Sequence, residues 1–104
     1  MSVLAINSEN YSTTVDQSGT VIVKVSSPTC GPCKMMAGLF DKLASEATDV
    51  TFTAFEVVTD EDKALAVKLG VSSVPAFLIY KDNELQTMFV GAYPLSVLKT
   101  KLGL

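Results

Sequence analysis

The chain has 104 residues, 48% of them hydrophobic and 18% charged, which is enough for one packed domain (1–104) and too little for a separate regulatory module. Its 11 acidic residues face 8 lysines and no arginine, a balance that excludes the basic, arginine-rich face of a nucleic-acid binder. Met1 to Ile6 lack the basic and apolar regions of a secretory signal, and no later stretch is long and apolar enough for a membrane span, so a cytoplasmic, thiol-reducing setting is expected.

In chain order, Val3 to Ile6 is a short strand candidate, and the polar run Asn7 to Asn10 suits the start of a short helix reaching about Gln17. Ser18-Gly19 breaks the chain before Thr20 to Ser26, a β-branched run that is apolar on both faces except at Lys24 and so reads as a central strand. Cys33, Met36, Ala37, Phe40, Leu43, Ala44 and Ala47 then recur at helical spacing, with Lys34, Asp41, Lys42, Ser45 and Glu46 opposite. This predicts one long helix that begins at the cysteines, with Gly38 as a candidate bend.

Val50 to Val58 reads as a second buried strand interrupted by Glu56. Thr59-Asp60-Glu61-Asp62 supplies a cap and negative charge for a helix that stops at Gly70. Phe77 to Tyr80 and Leu85 to Val90 flank Lys81-Asp82-Asn83-Glu84, whose Asp-Asn centre tolerates positive φ and favours a hairpin. Pro94 fits the first turn of a last helix with Leu95, Leu98 and Leu102 as its apolar stripe. The order βαβαβαββα describes an α/β fold, a mixed sheet with helices on both faces.

The chemistry concentrates in Thr29-Cys30-Gly31-Pro32-Cys33-Lys34, which holds both cysteines of the chain. Two thiols at that spacing can close a disulfide within one helical turn and reopen it without unfolding the chain, so a reversible redox pair is the leading reading. A structural zinc or iron–sulfur site needs about four ligands, and with no His and no third Cys only a site shared between subunits could complete one. No metal and no cofactor are expected.

The strand leading into Cys30-Gly31-Pro32-Cys33-Lys34, the long helix after it, Lys68-Leu69-Gly70-Val71, Val74-Pro75 before a hairpin, and Val90-Gly91-Ala92 before a last helix together resemble the thioredoxin family over nearly the whole chain. The resemblance implies the thioredoxin fold and a protein-disulfide reductase, monomeric by default, that acts on protein disulfides and is recharged by a thioredoxin reductase. Free N–H groups and the positive end of the helix stabilise a thiolate, so the thiol nearest the helix start, Cys30, should ionise below the free value of about 8.5 and attack first. Cys33, further in, should resolve the mixed disulfide. Pro75 resembles the family's cis-proline facing the pair, leaving Val74 free to meet a substrate backbone. Around it Thr29, Gly31, Pro32, Ser73, Gly91 and Ala92 would grip an extended peptide.

The chain departs from the family pattern in telling places. Thr29 replaces a Trp, and it could cap the helix. Lys24 stands where the family has a buried Asp, and Glu56 matches a neighbouring family Lys. A lone ion in a central strand is costly, so Lys24 and Glu56 are expected to form a charge-reversed, buried pair beneath Cys33, with Glu56 or a water it holds handling the proton. Two other functions fit the same residues: an interaction or processivity subunit with dispensable thiols, and a disulfide oxidase or isomerase.

Overall fold

The computed structural model describes residues 3–104; Met1 and Ser2, included in the expected domain, lie outside the described residues. Among the described residues, five strands and four helices follow in the order β1 (Leu4–Ile6), α1 (Tyr11–Val15), β2 (Thr20–Ser26), α2 (Gly31–Glu46), β3 (Val50–Glu56), α3 (Asp60–Lys68), β4 (Ala76–Lys81), β5 (Glu84–Val90) and α4 (Leu95–Lys101). The sheet order is β1-β3-β2-β4-β5. β2 lies at its centre, parallel to β3 and antiparallel to β4. The expected mixed sheet with a closing hairpin is therefore the observed one.

The period of two along β2 divides the core. Val21, Val23 and Val25 pack with Tyr11 and Val15 of α1, Ala66 of α3, and Leu78 and Tyr80 of β4. Ile22 faces the other way, onto Met36, Phe40 and Leu43 of α2, with Phe52, Phe77 and Leu98 of α4 completing the layer. Lys24 has the same parity as Ile22, so its side chain leaves β2 toward α2. That single parity decides which helix the lysine meets.

Local chemistry explains the ends of the elements. α3 opens with a full capping box: Asp62 N–H donates to Thr59 Oγ1 at 3.0 Å, and Thr59 N–H donates to Asp62 Oδ2 at 3.1 Å. Val58 N–H is drawn to the same carboxylate, also at 3.1 Å, which pulls the chain out of the sheet and ends β3 at Glu56 rather than at the expected Val58. At the front of the chain, Asn7 Oδ1 accepts from Glu9 N–H at 2.9 Å while Asn7 N–H donates to Asn10 Oδ1 at 2.7 Å. These Asn side chains hold a turn of their own, so α1 starts only at Tyr11. Pro94 occupies the N-cap of α4, one place before the expected first turn. The hairpin turn has Asp82 and Asn83 at φ 52° and 67°, a left-handed pair whose twist suits two adjacent strands. α2 runs unbroken through Gly38.

Candidate active site

β2 ends at Ser26 and α2 begins at Gly31, so the cysteine loop rises from the C-terminal edge of the two central parallel strands. Cys30 is the N-cap of α2. The place considered for Thr29 is thus taken by the cysteine itself, because Cys30 Sγ is the acceptor that reaches Cys33 N–H, at 3.1 Å, while Thr29 is exposed. Pro32 follows in the first turn, where a missing N–H leaves no helical bond unmade. The two sulfurs are joined as a disulfide, with Cα atoms 5.2 Å apart.

The two cysteines differ in access. Cys30 is half-buried, whereas Cys33 is 3% exposed. An incoming sulfur therefore meets Cys30 first, and Cys33 is reached from within the protein. Gly31 and Pro32 beside them are exposed.

The far wall of the site comes from the start of β4. Val25 pairs with Ala76, so β2 runs out into the cysteine loop where Pro75 runs in. The Val74–Pro75 peptide bond is cis. Pro75 is buried, Val74 is half-buried and Ser73 is exposed, and Ser73 and Val74 share a hollow with Ser27 at the base of the cysteine loop. Gly91 N–H donates to Pro75 O at 2.9 Å, bringing Gly91 and Ala92 alongside. Gly91 has φ +126°, and a Cβ there would lie 3.1 Å from Tyr93 Oη, so both backbone and space call for glycine.

Beneath the disulfide a hollow of about 120 Å³ is lined by Lys24, Ser26, Cys33, Ala37 and Glu56, among others. Lys24 is 6% exposed, and its ammonium stands 5.8 Å from the centre of the Phe40 ring. Glu56 is exposed. The expectation of a jointly buried Lys24–Glu56 pair is corrected on this point. Both residues reach one hollow, but Glu56 ends β3 beyond the cover of α2, where its carboxylate keeps its water and avoids the cost of burial. Burial pushes Lys24 below the usual lysine range, and Asp41 and then Glu56 pull it part of the way back.

Asp41, expected on the polar side of α2 and given no role there, also acts on Lys24. The sequence held a signal, since Cys33, Ala37 and Asp41 follow one another at steps of four, so the helical face that lines the hollow leads on to Asp41. Among the described residues, no three Cys, Asp or Glu side chains converge as a metal-ligand set.

The thioredoxin family model matches residues 2–103. Thioredoxin-like protein 1 of Schizosaccharomyces pombe is 35% identical over 105 residues, covering 100% of this chain and 36% of that protein. The chain spans between about a third and three fifths of the length of the first curated relatives it matches. The short form of spinach chloroplast thioredoxin F superposes with a TM-score of 0.88 at 32% identity, covering 98% of this chain and 91% of that one. A further structure, of thioredoxin f2 in complex with ferredoxin:thioredoxin reductase, gives a TM-score of 0.88 at 25% identity, over 98% and 93% of the two chains.

Proposed function

The chain belongs to the thioredoxin family, and from that premise we propose that it is a protein-disulfide reductase, one domain over residues 1–104, working through Cys30 and Cys33. One observation carries the reading: the cysteine pair sits at the N-terminus of α2 with one sulfur open to an incoming disulfide and the other sheltered behind it. Cys30 thiolate attacks one sulfur of a substrate disulfide, forming a mixed disulfide and releasing the other sulfur as a thiolate. Cys33 thiolate then attacks Cys30 Sγ; the Cys30–Cys33 bond forms, the bond to substrate breaks, and the second substrate sulfur leaves with the electron pair.

Thr29, Gly31, Pro32, Ser73, Val74, Pro75, Gly91 and Ala92 form the surface for an extended peptide. The exposed, small side chains beside the sulfurs and the junction of Pro75 with Gly91 support this role. Among the described residues no helix is long and apolar enough to cross a membrane. We assign the protein to the cytoplasm as a monomer, recharged by a thioredoxin reductase; the solved complex of thioredoxin f2 with ferredoxin:thioredoxin reductase supports a reductase as the electron donor.

NADPH-coupled insulin reduction with thioredoxin reductase tests the proposal. The wild type is expected to turn over, Cys30→Ser to be inactive, and Cys33→Ser to accumulate a mixed disulfide without turnover. Undiminished insulin reduction by folded Cys30→Ser would overturn it, and a biological activity that survives both substitutions would point to an interaction subunit instead.

A further inference from the structure

The helix end that serves Cys30 does little for Cys33. Cys33 N–H donates to Cys30 Sγ, so the backbone donor of the first turn is committed to the outer sulfur. Cys33 itself is 3% exposed, and burial disfavours a thiolate. A buried thiol that must ionise to resolve a mixed disulfide is favoured by a positive charge close by. The residue placed to supply it is Lys24, which leaves the centre of β2 toward α2 and lines the same small hollow.

We propose that Lys24 governs the ionisation of the resolving thiol: its cation, across the hollow from Cys33, stabilises the Cys33 thiolate and readies it for attack on the Cys30 mixed disulfide. The inference rests on the disulfide-exchange reading of the pair. In the mixed disulfide, Cys33 gives its proton to solvent in the hollow, and its sulfur bonds to Cys30 Sγ as the Cys30–substrate bond breaks. The electron pair departs on the substrate sulfur, which takes a proton from solvent. The substrate disulfide is the only oxidant, and Lys24 remains a positioning charge throughout.

The other charges near the hollow set the size of the effect without reversing its sign. Lys34 lines the hollow from α2 and adds to the positive field. Asp41, also on α2, and Glu56 of β3 favour the charged form of Lys24. Both carboxylates are exposed, so water weakens their direct action on Cys33, whereas Lys24 acts from a buried stem over Phe40. β4 presents only Phe77 opposite Lys24. Burial lowers the proton affinity of Lys24, so the cation is present below that depressed value and its help to Cys33 fades as pH rises through it.

The test follows a single thiol. In the full chain carrying Cys30→Ser, the ¹³Cβ shift of Cys33 is titrated against pH with Lys24 intact and with Lys24→Met, Lys24→Gln and Lys24→Arg. The neutral variants are expected to raise the Cys33 midpoint by about one pH unit or more, and Lys24→Arg to bring it back toward the parent. An unchanged or lowered midpoint in the folded Met and Gln variants overturns the proposal. No substrate or reductase takes part, so the outcome is separable from the insulin assay: a raised midpoint beside failed insulin reduction would leave the Lys24 role standing and the reductase reading lost.

Discussion

Lys24 and Glu56 carry opposite charges on adjacent strands, two steps out of register, yet one is buried and the other is in water. Their energetics differ accordingly. Removing the exposed carboxylate leaves no stranded buried ion, so Glu56→Gln should change stability by no more than about 0.5 kcal/mol, not the several kcal/mol a buried pair would lose. Lys24→Met replaces a buried cation by an apolar chain of similar length and should be neutral or stabilising at pH 7. The pH dependence has a definite sign. With its folded-state value depressed by burial, Lys24 costs most at pH below that value, and the cost is relieved as pH rises through it toward the ordinary lysine value. The advantage of Lys24→Met over wild type in denaturant melts should therefore shrink at alkaline pH. The sequence marked both residues, because a charge in a β-branched run is conspicuous; it did not say that the cover of α2 stops short of Glu56, which only tertiary packing decides.

At the level of elements, Asp62 shows how one side chain can end a strand and begin a helix. Its carboxylate accepts from the N–H groups of Ser8, Val58 and Thr59 at 3.0–3.1 Å, joining the chain after β1, the end of β3 and the start of α3. Burial alone would raise its pKa, but the donated hydrogen bonds outweigh burial and hold it at about 2. The stabilisation is complete above the ordinary carboxylate range and is lost as pH falls through about 2. Asp62→Ala should cost about 2–3 kcal/mol at pH 7, and its deficit relative to wild type should narrow in melts taken from pH 4 toward pH 2. This capping box was legible as Thr59 followed three places on by Asp62. The start of α1 was not, since Asn7 and Asn10 offer a helix start and a self-contained turn with equal ease, and their mutual bonds select the turn. The cap of α2 was hidden for a related reason: Thr29 has the usual capping hydroxyl, but the Cys30 sulfur is the atom in reach of Cys33 N–H.

Across the whole molecule, the C-terminal edge of the central parallel strands gathers the cysteine loop, and the antiparallel return of β4 brings Pro75 beside it. The alternation in β2 and the helical stripe after Cys33 were enough to foresee this edge, because both periods are local. Charge placement beneath it depended on the parity of Lys24 and the length of β3, so its details had to come from the fold. In the resulting account the outer sulfur is served by a helix end and the inner one by a lysine, which supply the thiolates that exchange needs. Because stabilising thiolates favours the reduced form and by itself raises the potential, the reducing direction rests on membership of the thioredoxin family. The most direct measurement is the reduction potential of the Cys30–Cys33 couple at equilibrium with a dithiol buffer. The account predicts a strongly reducing value, near the roughly −270 mV known for thioredoxin; a value about 90 mV higher, in the range of disulfide isomerases, would contradict it.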